Sequence, residues 1–355
     1  MRLVVIAGVV AIVASLTITP LLIRFLRRRG YAQAIRVSIE GEPYPDHEGK
    51  RGTPSMGGLA ILIAIVLGYG ITHLVAWRPL SPAGLLAIFL TVGLGLVGMA
   101  DDYLKIFKQR STGLRARTKL VGQAAVALTF AILSVQFPNA DGQTPASMAI
   151  SFVRETSIVL PMALFVIWAW FIITSTTNGV NLTDGLDGLA TGAATMTFIA
   201  YVLISLWQTS QSCLFTAAAT CYTTPDPLDL AIFAAACGGA TFGFLWWNTS
   251  PARIFMGDTG SLALGGAIAA LGILSRTELL IPLLGGLFLI VVLSVIGQVG
   301  SYKLLGRRMF RMAPLHHHFE MLGWPEILIV VRFWLIQGLC IAVGLTLFYA
   351  EWVVA

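Results

Sequence analysis

Residues 3–29, LVVIAGVVAIVASLTITPLLIRFLRRR, decide the kind of fold to expect. From Leu3 to Phe25 only Arg24 is charged, and roughly 20 mainly apolar residues are what an α-helix needs to cross a bilayer. The run is stopped by Arg27-Arg28-Arg29. An apolar stretch of this length followed at once by arginines predicts a retained helix rather than a cleaved leader. The rest of the chain repeats the pattern. Of 355 residues 57% are hydrophobic and 11% charged, with a mean hydropathy of +0.82, whereas a soluble domain carries about a quarter charged residues. Ten runs of this kind occur, at about 3–26, 54–76, 83–100, 118–137, 157–175, 187–207, 228–247, 261–274, 279–302 and 327–350. In lipid the backbone must satisfy its own hydrogen bonds, so each run predicts a helix. The expectation is an all-α polytopic membrane protein of about ten transmembrane helices. No composition shift or internal repeat divides it, so 1–355 reads as one integral-membrane domain.

The formal net charge of +6 does not point to nucleic acid, because no soluble basic domain exists to bind it. It follows instead from the positive-inside rule. The loops after the odd-numbered runs hold 18 of the 23 basic residues: seven within 24–51, six within 105–119, Arg253, and four within 303–311. That bias predicts odd loops in the cytoplasm and both termini outside. Five of the seventeen acidic residues, Asp101, Asp102, Asp184, Asp187 and Asp258, fall at helix ends on the same side. A transporter would place its carboxylates nearer mid-span. Cys237 and Cys340 lie in apolar runs as packing residues. Cys213 and Cys221 flank an outer loop where a disulfide is possible. His73, near the outer end of the second run, has no evident role.

Four segments carry chemistry. In GLVGMADDYLK, Asp101 and Asp102 sit where the third run ends; carboxylates there oppose the helix macrodipole and repel each other, so they call for a cation. Lys105 or a divalent metal could supply it. In TNGVNLTDGLDGL, Asn178, Asn181, Asp184 and Asp187 recur every three residues, giving two amides and two carboxylates on one side of a helical turn. Such a set suits a sugar, a base or a hard cation. In RIFMGDTGS, Gly257 and Gly260 bracket Asp258 at a helix start, where free N–H groups favour phosphate and one carboxylate favours Mg²⁺; Phe255 could stack on a base. In PLHHHFE, His316, His317 and His318 stand beside Arg307, Arg308 and Arg311. Consecutive residues converge poorly on zinc, and anion binding or proton transfer fits them better. A fifth stretch, HEGKRGTPSMGG from His47 to Gly58, offers Lys50 and hydroxyls at a helix start.

These elements, in this order, resemble the polyprenyl-phosphate N-acetylhexosamine-1-phosphate transferase superfamily, and within it the phospho-N-acetylmuramoyl-pentapeptide transferases. The resemblance covers essentially the whole chain and departs from the usual GTPTMGG at Ser55, where a hydroxyl is kept. It implies an Mg²⁺-dependent transferase of the bacterial cytoplasmic membrane, working at the cytoplasmic face. Its substrates would be UDP-N-acetylmuramoyl-pentapeptide and undecaprenyl phosphate, its products lipid I and UMP. By that resemblance Asp258 holds the metal, Asp101 is the base toward the lipid phosphate, and Asp102 supports it or shares the metal. Substrate contacts would come from Lys50, Ser55, Lys105, Lys119, Asn178, Asn181, Asp184, Asp187, Asn248, Phe255, Gly257, Ser261 and Gln298, with His316, His317 and His318 at the sugar or peptide part. It also implies a homodimer. A relative that transfers N-acetylglucosamine phosphate is the neighbouring alternative, and direct attack and a covalent phospho-enzyme both fit the residues.

Overall fold

The computed structural model describes residues 1–29, 50, 52–107, 113–139, 142–213 and 221–354. Among these, ten helices are long and apolar enough to cross a membrane. They are α1 (Arg2–Arg28), α2 (Gly58–Ala76), α3 (Pro82–Phe107), α4 (Ala116–Leu133), α5 (Met162–Thr183), α6 (Leu189–Ser210), α7 (Pro227–Asn248), α8 (Gly257–Leu274), α10 (Gly286–Leu305) and α12 (Glu326–Val354). Two short helices, α9 (Ile281–Leu284) and α11 (Leu315–Glu320), lie in the connections. The chain is a multi-pass membrane protein.

Burial divides the helices into two sets. α7 and α8 are covered on nearly every side, and α6 over most of its length, while α1, α4, α10 and α12 are buried along one stripe. On α1 that stripe is Val4, Ala7, Ala11, Ser15 and Thr19, and Val5, Val9 and Val13 face outward. The four-residue spacing keeps each set on its own face. Small residues on the inner face let backbones approach closely, which is how helices associate when lipid is as apolar as leucine. The most extensive packing is α1 on α7, α3 on α8 and α6 on α7.

Four boundaries differ from the sequence expectation by about five residues or more, one of them the end of α5, which runs on to Thr183 rather than stopping near 175. The fifth helix starts at Met162, not near 157: Glu155–Val159 is strand β2, antiparallel to β1 (Ala149–Ser151). The run TSIVL is apolar enough to look membranous, but β-branched residues suit a strand, and Pro161 caps the helix that follows. The ninth run is broken. A 3₁₀ turn at Glu278–Leu280 and α9 precede α10, with Pro282 and the Gly285-Gly286 pair at the joint. The third helix continues past residue 100 to Phe107, which puts Asp101, Asp102 and Lys105 on helical turns rather than at a frayed end. The Cys213–Cys221 disulfide, which the sequence leaves open, is formed. His73 does have a partner: its Nε2 lies 2.6 Å from Asp229 Oδ1 in the packed interior between α2 and α7, where Asp229 also accepts from the Tyr69 hydroxyl at 2.7 Å.

Candidate active site

The end of α3, the starts of α4 and α8, and the end of α5 meet at one end of the bundle. α3 and α8 touch there because residue 98 is glycine; a Cβ at Gly98 would run into the Asp258 carbonyl oxygen. Asp102 accepts from the Asp258 N–H at 3.1 Å, the Thr259 N–H at 2.8 Å and the Thr259 hydroxyl at 2.6 Å. It thereby satisfies donors that a helix start leaves open, where the macrodipole favours an anion. Gly257 makes that approach possible: its φ of 74° is left-handed, and a side chain would meet Asp102 Oδ2.

Asp258, held in this way, gathers charge around it. Its Oδ2 receives Lys105 Nζ at 2.9 Å and Lys119 Nζ at 2.8 Å, and its Oδ1 accepts from Asn181 Nδ2 at 2.9 Å. Asn181 also donates to Ser261 Oγ at 2.8 Å. Lys105 reaches back one turn to Asp101 Oδ2 at 2.6 Å, and Asp101 Oδ1 accepts from the Leu114 N–H. Asp101, Asp102 and Asp258 each offer an oxygen, all within 4.8 Å of one another. That is the span of oxygens across one hard cation with bonds of about 2.0–2.6 Å. An all-oxygen donor set that already draws two ammonium groups fits Mg²⁺, and Asp258 with Asp101 fits best, because Asp102 spends its oxygens on α8.

A second group lies alongside. Lys50 Nζ binds Asp187 Oδ1 and Glu326 Oε1, each at 2.7 Å. Asp187 Oδ2 accepts from the Ala252 N–H at 3.0 Å, and the Asp187 N–H donates to Glu326 Oε1 at 2.8 Å. Burial alone would lower the Lys50 pKa, but hydrogen bonds and charge from Asp187 and Glu326 outweigh it and leave it raised. Asp184 stands between the two groups. Its pKa is pushed up to about 8, first by burial and then by the charges of Asp258, Asp102 and Asp187, against a hydrogen bond from the Gly257 backbone.

The four Asn and Asp residues of the 178–187 segment therefore do not share one side. α5 ends at Thr183, and a three-residue step falls short of a 3.6-residue turn, so the side chains fan out. Asn178 turns to Thr174 O at 2.8 Å and Gln123 Oε1 at 3.4 Å. Asn181 goes to Asp258, and Asp187 to Lys50. The 54–57 stretch pairs with 255–256 through Phe255 N–H to Pro54 O and Gly57 N–H to Phe255 O, both 2.9 Å. That pairing sets the half-buried Phe255 at the rim and buries Ser55 beside Gly257. His47 to Gly49 and Arg51, from the first-loop motif, lie outside the described residues.

Four expected contact residues, Asn248, Gln298, His317 and His318, have polar groups taken up by the protein itself. Asn248, 2% exposed, accepts from Thr191 and donates to Ile254 O; it braces the 249–256 loop. Gln298 makes two hydrogen bonds to the Phe310 backbone and fixes the loop before α11. The histidines point three ways. His317 pairs with Glu320 at 2.6 Å, and His318 Nδ1 accepts from the Arg311 N–H. His316 is fully buried against Gly185; burial and then the His317 charge hold its pKa well below the usual range, so its ring is neutral. Glu326 and Thr259 were not singled out from sequence. Thr259 follows Asp258 in a motif already noted, but an acidic residue at a helix start gives no sign of a lysine 276 positions away.

The family model for glycosyl transferase family 4 matches residues 84–276, and the first phospho-N-acetylmuramoyl-pentapeptide-transferase signature matches residues 50–62. Proteins named phospho-N-acetylmuramoyl-pentapeptide-transferase align end to end. The one from Streptomyces griseus is 55% identical over 356 residues, covering 99% of each chain. That from Kineococcus radiotolerans is 57% identical over 364 residues, again with 99% of each covered. The signature starts at Lys50 and the family model contains every carboxylate and lysine of the first group, so the chain belongs to the phospho-N-acetylmuramoyl-pentapeptide-transferase family.

Proposed function

We propose that this transferase moves phospho-N-acetylmuramoyl-pentapeptide from UDP-N-acetylmuramoyl-pentapeptide to undecaprenyl phosphate, giving lipid I and UMP. The observation that carries the reading is the meeting of Asp101, Asp258, Lys105 and Lys119 at the ends of apolar helices. There a lipid-borne phosphate and a water-borne diphosphate can reach one another. A phosphate oxygen of the lipid forms a bond to the phosphorus that carries the sugar. The bond from that phosphorus to the bridging oxygen breaks, and UMP leaves with the electron pair.

Lys105 and Lys119 swing from Asp258 to phosphate oxygens and offset the repulsion between the two anions. A phosphate monoester loses its second proton near pH 6, so most acceptor arrives as the dianion and Asp101 takes the proton from the remainder. Asp258 with Asp101 would hold Mg²⁺, and Asp102 keeps α8 in place beneath them. Held by those carboxylates, Mg²⁺ would supply positive charge to offset the negative charge of the diphosphate. Asp184, Asp187 and Phe255 form the wall toward the nucleoside, and Asn181 and Ser261 orient Asp258. The α11 histidines support the sugar-peptide side.

The whole chain, 1–355, acts as one membrane domain. The arginine and lysine bias supports a site on the cytoplasmic face of the bacterial inner membrane with both termini outside, and the family supports a homodimer. The test is UMP release by purified protein with both substrates, with and without Mg²⁺. Turnover of UDP-N-acetylglucosamine but not the muramoyl-pentapeptide nucleotide, or solute uptake by proteoliposomes without UMP release, would overturn the proposal.

A further inference from the structure

Glu326 opens α12 directly after Trp324-Pro325. Three contacts from this corner hold the loop that joins α5 to α6. The buried ring of His316 fills the space where a side chain at residue 185 would lie. Glu326 Oε1 accepts the Asp187 N–H at 2.8 Å. Trp334, two turns into α12, donates from its indole to Leu189 O at 3.2 Å. Of the three, only Glu326 also reaches a charged group of the site, the Lys50 ammonium at 2.7 Å.

Lys50 is thus bound by two carboxylates at once, and its charge is more than compensated. A lysine so held is less free to swing onto phosphate than Lys119, which is paired with Asp258. The effect of Lys50 is on shape: it ties Asp187 Oδ1 to α12, while Asp187 Oδ2 is fixed by the Ala252 N–H at 3.0 Å. Removing Glu326 would release the Asp187 backbone and one side of Lys50 together. The side chain of Glu326 is 19% exposed, so the pair is partly shielded and stronger than a surface pair.

We infer that Glu326 is a positioning residue for the nucleotide end of the site, acting through Lys50 and the Asp187 backbone. The inference rests on the proposed reaction and adds a residue to it. It does not touch the metal or phosphate groups, so it affects nucleotide binding without affecting the chemical step.

The experiment compares wild type, E326Q and E326A for UMP release, varying each substrate in turn, and measures UMP binding directly by calorimetry. Gln keeps an acceptor for the Asp187 N–H and loses the charge on Lys50; Ala loses both. Loss of a charge-assisted hydrogen bond at a partly shielded site predicts an increase of about tenfold in nucleotide KM for E326A. E326Q should fall between it and wild type, with kcat within about twofold and the KM for polyprenyl phosphate unchanged. In a K50M background, E326A should raise nucleotide KM by much less, because the two act together. Equal nucleotide KM in all three proteins, a fall in kcat at constant KM, or a parallel rise in both KM values would overturn the inference. If E326A does not fold, E326Q alone decides by the same criteria. Wild type that binds UMP but releases none from the muramoyl-pentapeptide nucleotide would sink the proposed reaction; the UMP affinities of the variants would still test Glu326.

Discussion

Two lysine–carboxylate groups share this site, and they are built in opposite ways. Around Asp258, two ammonium groups converge on a single carboxylate oxygen. Around Lys50, one ammonium group is held by two carboxylates. In the first, the lysines share Oδ2, so Lys119 can leave without stranding Asp258, while Lys105 is also tied to Asp101 Oδ2 at 2.6 Å. In the second, moving the lysine would strand two anions and loosen the backbone at Asp187. The first arrangement suits exchange with an incoming metal or phosphate. The second suits a fixed wall. The expectation that follows is a division of kinetic effects: changes near Asp258 should affect kcat, and changes near Lys50 should affect nucleotide KM.

The largest effect should come from Asp258. D258N keeps the size of the side chain and removes the charge that both lysines and the metal need. UMP release should fall on the order of a thousandfold, with the thermal unfolding of the detergent-solubilised protein little changed. Near-normal release would remove Asp258 from the metal and break the comparison at its centre. K105M and K119M come next. Each should lower kcat by about 10- to 100-fold, measured with both substrates saturating, because one lysine remains at Oδ2 when the other is lost. If K105M is much the more damaging, the added contact to Asp101 at 2.6 Å explains it; equal nucleotide KM effects with unchanged kcat would contradict the exchange reading.

The first group was far more legible in the sequence than the second. DD, MGD and the lysines near them are charged residues at the ends of apolar runs, and lipid makes such charges conspicuous. The ten helices were legible for the same reason. The limits of that signal show in 155–159, where an exposed strand has the same composition as a span, and at Gly285, where a Pro and two Gly break a run that hydropathy alone joins. Side-chain direction was less accessible. Asn178 and Asp187 share a motif, yet one faces α4 and the other Lys50, because the helix stops between them. Family resemblance implies Asn248 and Gln298 at the nucleotide; in the structure the Asn248 amide is bound to the Thr191 hydroxyl and the Ile254 carbonyl, and the Gln298 amide to the Phe310 backbone. Glu326 was invisible because its role depends on a contact between residues 276 positions apart.

A smaller effect sharpens the second half of the comparison. K50M should raise nucleotide KM by about tenfold and change kcat by less than about threefold, read from UMP release at varied nucleotide. The loss is moderate because the Ala252 N–H still holds Asp187 Oδ2. A kcat loss like that of K119M would mean that Lys50 reaches phosphate after all, and that its two carboxylates do not restrain it.

The smallest expected effect tests the residue between the groups. Asp184 feels Asp258 and Asp102 from one side and Asp187 from the other, on top of its burial, and its pKa is raised from 3.8 to about 8. The folded protein therefore holds this proton more tightly than the unfolded chain does. Linkage then gives the sign: stability associated with Asp184 is full below about pH 4, declines as the unfolded chain alone loses the proton, and levels off above about pH 8. D184N has no such dependence. Its Tm should match wild type most closely near pH 5 and exceed it increasingly toward pH 8, by about 1–3 °C, with no further divergence at pH 9. A constant difference across this range would mean that Asp184 is ionised throughout. The repulsion it was thought to feel from both groups would then be absent, and the two would be electrostatically separate sites rather than neighbours sharing one carboxyl.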